Sequence, residues 1–209
     1  MESIRIPSKA YNVIGVKKGQ TPERIVFCAH IDSKKGTPGA LDNGGGVCLL
    51  LALADLLKEY NSKYTIELLT INGEDYYAYP GGMKYLEDNQ GLMDQIILAV
   101  NADGAGSKGS RTTYCFFNSS ETISLAVKHV FKDSKNFAET EPWYQSDHAI
   151  FALNGIPAIA LTTEDFSEIW ATIAHTSMDT IDKVDIDILA VVACALRELI
   201  DELNHNKLT

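Results

Sequence analysis

Residues 24–46 read RIVFCAHIDSKKGTPGALDNGGG, an apolar run that gives way abruptly to a histidine, acids and glycines. From Arg24 to Ala29 polar and apolar residues do not alternate. That is the pattern of a strand buried on both faces, in a parallel sheet covered by helices. His30 then emerges at the strand's carboxyl end, where open α/β sheets place their sites. Asp32, two residues on, can accept one imidazole N–H, fix the tautomer and leave the other nitrogen free for a metal. Asp42 falls in a Gly-rich turn just ahead of a long apolar helix. Glycines at 44, 45 and 46 let the backbone pass close to an ion or a neighbouring strand. His30 and Asp42 are therefore candidate metal ligands, against the plainer reading of a core histidine followed by a surface loop.

Working outward, residues 11–17 and 24–29 read as two strands joined by Gly19-Gln20-Thr21-Pro22, which predicts a hairpin. Residues 47–60, VCLLLALADLLKEY, are apolar nearly all round and predict a helix packed deep against a sheet. Residues 64–72 predict a buried strand with Glu74-Asp75 just past its carboxyl end. Two adjacent carboxylates in a cleft persist only when paired or bound to metal, whereas on a solvated loop they need no explanation. A helix is expected over 82–89, and a third buried strand over 95–101 delivers Asp103. A strand over 112–117 and a helix over 120–132, capped by Ser119 or Ser120, follow. Ser146-Asp147-His148 opens a short helix, with Ser146 or Asp147 as its cap and a packed histidine as the favoured reading. Residues 156–161 are strand-like, and Ala174-His175-Thr176 precedes Asp179-Thr180. A closing amphipathic helix over 185–203 has apolar positions at Ile188, Leu189, Val192, Leu196, Leu199 and Leu203.

Composition narrows the function. A chain of 209 residues, 45% hydrophobic, suits one sizeable core. The net charge of −10 without a basic stripe argues against nucleic acid or an anionic membrane as partner. No apolar run approaches the ~20 residues of a membrane span, and Met1 to Lys9 has no apolar core of a leader. Cys28, Cys48, Cys115 and Cys194 lie in apolar runs without CxxC spacing, so they are expected to be buried, reduced thiols in a cytoplasmic protein.

His30, Asp42, Glu74-Asp75, Asp103, Ser146-Asp147-His148 with Gly155-Ile156-Pro157, and His175 with Asp179-Thr180 resemble, in order, the HxD, DNxxG, E-E/D, NxD, SDH…GIP and HTxxDT blocks of M28 zinc aminopeptidases. The resemblance runs over about residues 11–200. It implies a three-layer α/β/α sandwich around a mixed, mostly parallel sheet, as a single domain over 1–209 with no lid. It further implies two Zn2+ ions, with Co2+ or Mn2+ as substitutes. His30 and Asp103 would hold one ion, Asp75 and His175 the other, and Asp42 would bridge them. Glu74 would be the general base, and peptides with a free N-terminus the substrates. The Asp42–Asn43 peptide is expected to be cis.

The pattern departs from the family at residues 76–81, where Tyr-Tyr-Ala-Tyr-Pro-Gly replaces the usual GLxGS. Tyr77, Tyr79, Trp143, Tyr144 and Phe151 are then the aromatics nearest the motifs, expected to line an apolar first pocket. Tyr144, one position out of register, is a candidate for assisting the oxyanion. The chain also lacks the family's leading helical segment, so a sheet edge is expected to be uncovered or paired in a homo-oligomer. Two rivals remain at this point: a one-zinc glutaminyl-cyclase-like acyltransferase, and a non-catalytic binding domain on a peptidase-like fold.

Overall fold

The computed structural model describes residues 9–76, 78–133 and 135–205. In chain order it contains β1 (Val13–Lys17), β2 (Arg24–His30), α1 (Gly45–Leu56), β3 (Thr65–Ile71), α2 (Pro80–Asp88), β4 (Ile96–Ala102), β5 (Thr112–Phe117), α3 (Glu121–Val130), β6 (Phe137–Glu139), α4 (Ala149–Ala152), β7 (Ala158–Thr163), α5 (Phe166–Thr172) and α6 (Ile186–His205). The strands form one seven-stranded sheet in the order β1-β3-β2-β4-β7-β5-β6. β3, β2, β4 and β7 are mutually parallel, while β1 and β5 run antiparallel to β3 and β7.

The buried run at β2 explains the layering. Ile25, Phe27 and Ala29 point into a core shared with Leu49 and Leu53 of α1, Val127 of α3 and Leu196 and Leu199 of α6. Val26 and Cys28 point the other way, towards Tyr85 of α2 and Phe151 of α4. Successive strand side chains alternate between faces, so the unbroken apolar run Ile25 to Ala29 within β2 calls for helices on both faces. Each fully buried Leu or Phe contributes about 1.5–3 kcal/mol. Ser120 caps α3 by accepting the Ile123 N–H at 3.3 Å. Asp185 does the same for α6, accepting from Asp187 at 3.0 Å and Ile188 at 3.3 Å.

The chain leaves β2 through α1 to reach β3 on one side, then returns through α2 to β4 on the other. This reversal opens a crevice at the carboxyl ends of β2 and β4, where His30 and Asp103 stand.

Several expectations are corrected. β1 and β2 are not a hairpin: β3 lies between them, paired with both. A Gly-Gln-Thr-Pro turn permits a hairpin but cannot enforce one when β3 offers β2 a parallel partner along its whole length. α1 is one-sided, with Leu51 and Leu56 exposed. Cys48 and Cys194 are exposed too, because an apolar neighbourhood in sequence does not fix which face of a helix a residue occupies. β1 forms an edge with Val13, Ile14 and Val16 exposed. No helix among the described residues is long and apolar enough to cross a membrane.

Candidate metal centre and cleft

His30 is fully buried, and its Nδ1 donates to the Asp32 carbonyl oxygen at 3.0 Å. A carbonyl only accepts, so Nδ1 carries the proton and Nε2 is left to point at Asp42 Oδ1, 3.0 Å away, and Asp103 Oδ1, 3.5 Å away. Neither contact is an aligned hydrogen bond, and Nε2 is a buried atom without a hydrogen-bond partner. A lone pair facing two carboxylates is stable only if a cation lies between them. Burial would lower the His30 pKa, but the closely facing carboxylates of Asp103 and Asp42 hold it well above its ordinary value.

Asp42 faces both ways. Its Oδ2 lies 3.0 Å from His175 Nε2, which is also 2.8 Å from Asp75 Oδ1. Buried Oδ2 atoms of Asp42 and Asp75 are likewise without hydrogen-bond partners. Two triads thus share Asp42: His30, Asp42 and Asp103 in one, and Asp42, Asp75 and His175 in the other, each with donor atoms within 4.8 Å of one another. Mixed imidazole and carboxylate donors, with orphaned atoms converging on two points, fit a pair of divalent ions such as Zn2+.

The loops that carry these donors are pinned by backbone. Asp32 does not reach the imidazole with its carboxylate, which stays 3.9 Å from Nδ1. Instead it accepts the N–H groups of Gly73 at 2.6 Å, Glu74 at 3.2 Å and Asp75 at 3.1 Å, so it positions the Glu74-Asp75 pair. The expected pairing through the side chain is replaced by the Asp32 carbonyl. Asp179, fully buried, does for the Asp42 turn what Asp32 does for the other loop. It accepts from Leu41 at 2.7 Å and Asp42 at 3.1 Å. Asn43 donates to the Ala102 carbonyl at 2.8 Å and accepts the Gly46 N–H at 3.0 Å, tying the turn to the end of β4. A Cβ on Gly46 would come within 2.5 Å of the Ala102 oxygen, so only glycine permits this approach. The Asp42–Asn43 peptide is cis.

Glu74 stands beside the triads, and burial, opposed by His30 and reinforced by Asp103, pushes its pKa up to about 8. Burial followed by the charge of Asp42 also raises Asp75. Lys34, which carried no sequence signal, places its ammonium 3.3 Å from Asp75.

Ser146-Asp147-His148 does not cap α4; His148 holds the cap position without a side-chain hydrogen bond. Ser146 accepts from Asn101 at 2.9 Å. Asp147 is fully buried, accepts the Tyr79 hydroxyl at 2.5 Å, and has its pKa raised by burial to about 7. His148 is packed, as read, between the rings of Phe117 and Trp143. Of the five non-glycine residues with positive φ among the described residues, Ala78, Tyr79, Ser146 and His175 lie in the loops around the centre, where such strain commonly concentrates.

A cavity of about 290 Å3 opens over the triads. Asp42, Glu74, Asp103 and His175 form its floor, and Trp143, Phe166, Ile169 and Trp170 its wall. Trp170 also meets the His175 ring edge-on, with centroids 4.6 Å apart. Of the expected aromatics among the described residues, only Trp143 lines this cavity. Tyr144 turns out against Phe117, with centroids 4.9 Å apart and 58% exposure, so it is not placed to assist an oxyanion. Successive residues of an extended segment face opposite ways, and Trp143 takes the inward place. Phe151 is in the core, Tyr79 is held by Asp147, and Tyr77 lies outside the described residues.

The family model for peptidase family M28 matches residues 12–200. A probable leucine aminopeptidase 2 of Aspergillus fumigatus is 27% identical over 190 residues, covering 81% of this chain and 38% of the fungal protein. A zinc aminopeptidase from Bacillus subtilis superposes with a TM-score of 0.81 at 22% identity, over 94% of this chain and 50% of that one. A glutaminyl cyclase from an Acidobacteriales bacterium superposes at 0.76 and 24% identity, over 92% and 73%. At those identities the two solved structures speak to the fold alone, and the chain spans about half or less of the two aminopeptidases. The family model covers nearly the whole chain, and by that match the chain belongs to peptidase family M28.

Proposed function

We propose that this chain is a two-zinc aminopeptidase that removes an apolar or aromatic residue from the free N-terminus of peptides. The observation that carries the reading is the pair of donor triads sharing Asp42, with Glu74 beside them on the floor of a cavity whose wall is apolar. His30 and Asp103 would hold one ion, Asp75 and His175 the other, and Asp42 both. Such ions acidify bound water and polarise a carbonyl. Glu74 takes the proton from the attacking water and delivers it to the leaving amine nitrogen. Trp143, Phe166, Ile169 and Trp170 shed water around the first side chain and orient the bond over Glu74.

The test compares leucine p-nitroanilide, its N-acetyl form and a peptide with N-terminal Gln, on protein loaded with Zn2+, Co2+ or Mn2+ and assayed for bound metal. Expected are two ions per chain, turnover of the free amine only, and no pyroglutamyl product. One ion with cyclised Gln would establish the cyclase reading instead, and no turnover with no metal would establish a binding domain.

A further inference from the structure

A second cavity, of about 390 Å3, meets the first at Glu74. Among the described residues Glu74 is the one lining both, and along the chain Gln145 faces the first while Ser146 faces the second. The second is walled by Tyr79, by Met83 and Leu86 of α2, and by Ile150 and Leu153 at α4. Its floor is fixed. Tyr79 is tied through its hydroxyl to buried Asp147 at 2.5 Å, and its ring packs on Gly82, where an added Cβ would lie 1.8 Å from Cε1. Its rim is open, with Met83 57% and Leu153 76% exposed.

The chemistry of amide cleavage assigns the two sides. Asp42, Asp103 and His175 line the first cavity, and no residue of either triad lines the second. The carbonyl under attack therefore belongs over the first cavity. The group that protonates the leaving nitrogen stands between the two halves of the substrate, and here that group is the divider itself. Apart from Glu74, every lining residue of the second cavity among the described residues is uncharged. We infer that the second cavity receives the side chain of the residue after the scissile bond, and selects an aliphatic one over a small or acidic one. This rests on the aminopeptidase reading and extends it to the second position of the peptide.

The test measures kcat/KM for Leu-Leu, Leu-Gly, Leu-Asp and Leu-Arg, each normalised to leucinamide, which has no second side chain. The protein is compared with its Leu153→Asp and Met83→Asp variants, at exposed positions that tolerate a carboxylate. Leu-Leu should exceed Leu-Gly by about tenfold, the discrimination an apolar pocket gives for a few methylenes, and exceed Leu-Asp by more. Each variant should bring the Leu-Leu to Leu-Gly ratio within about threefold of unity and raise Leu-Arg relative to Leu-Leu. In Glu74→Gln, calorimetric binding of intact Leu-Leu should be tighter than that of Leu-Gly. Leucinamide hydrolysed with equal normalised rates for all four dipeptides, or ratios unmoved in both variants, would overturn the second-residue assignment alone. Failure to hydrolyse leucinamide or any dipeptide would overturn the aminopeptidase reading, and flat binding in Glu74→Gln would then overturn this one as well.

Discussion

The floor and the wall of the main cavity are built in opposite ways. Floor donors sit just past strand ends and on turns pinned by backbone hydrogen bonds. Asp32 gathers three N–H groups, Asp179 two, and Asn43 is stitched to Ala102. The wall rests on a loop residue, Trp143, and the short α5, joined by ring stacking. Trp143 and Phe166 are 5.6 Å apart, Phe166 and Trp170 5.9 Å, and Trp170 is 54% exposed. Bond-breaking demands donor atoms fixed within fractions of an ångström, whereas side-chain selection needs only an apolar surface that excludes water.

The largest expected effect separates two neighbours on the floor. Glu74→Gln removes proton transfer and should lower kcat by about 10²–10⁴ with metal content and KM near those of the parent. Asp75→Asn should instead lose metal and regain part of its activity in added Zn2+, while no zinc concentration restores Glu74→Gln. Metal loss in Glu74→Gln, or near-parental turnover, would reverse these roles. Asp32→Asn tests the pinning. An amide turned on one of the three N–H donors leaves it facing a donor, so zinc affinity measured by chelator competition should fall about 10–100-fold. An unchanged affinity would show that the loop holds itself. On the wall, Phe166→Ala should raise KM for N-terminal Leu and Phe about tenfold, and for N-terminal Ala far less, with zinc content unaltered. Equal effects on all three would place Phe166 in the architecture rather than the pocket.

The same division decides what was readable in the sequence. Floor residues carry local signatures: His30 follows an apolar strand, Asp42 precedes three glycines, and Asp103 ends another buried strand. Each element dictates where its terminal side chain goes, so geometry follows from periodicity. The wall has no such rule. Phe166, Ile169 and Trp170 are ordinary apolar residues that reach the cleft because Ile169 of α5 packs on Leu41, distant in sequence, a long-range event without a periodic signal. Tyr144 and Trp143 differ by one position, and loop backbone sets which of them turns inward. Asp32 and Asp179 were visible as acids in motifs, but their service to backbone N–H groups depends on loops brought together from 41 and 138 residues away. Likewise the insertion of β3 between β1 and β2 is a choice among partners that each strand's own pattern leaves open.

The smallest expected effect concerns the layer beneath the wall. His148 donates from Nε2 to the Trp143 carbonyl at 2.6 Å, while its Nδ1 lies 3.4 Å from the Asn101 amide, so the ring is neutral. Burial lowers its pKa below the ordinary 6.5, against the upward pull of the Trp143 contact and of Asp103. The folded chain therefore refuses a proton that the unfolded chain accepts. Stability contributed by this residue is complete above about pH 6.5 and declines as pH falls through that value, levelling only below the folded-state pKa. For a single proton the slope cannot exceed about 1.4 kcal/mol per pH unit. His148→Gln keeps a donor for the Trp143 carbonyl and removes the titration. Denaturant midpoints measured between pH 7 and pH 5 should decline less steeply in the variant, since the remaining groups titrate in both proteins. Parallel slopes would mean that His148 takes up its proton without leaving the ring stack. The wall would then be free to re-form around a charge, unlike the floor, whose donors are held from behind.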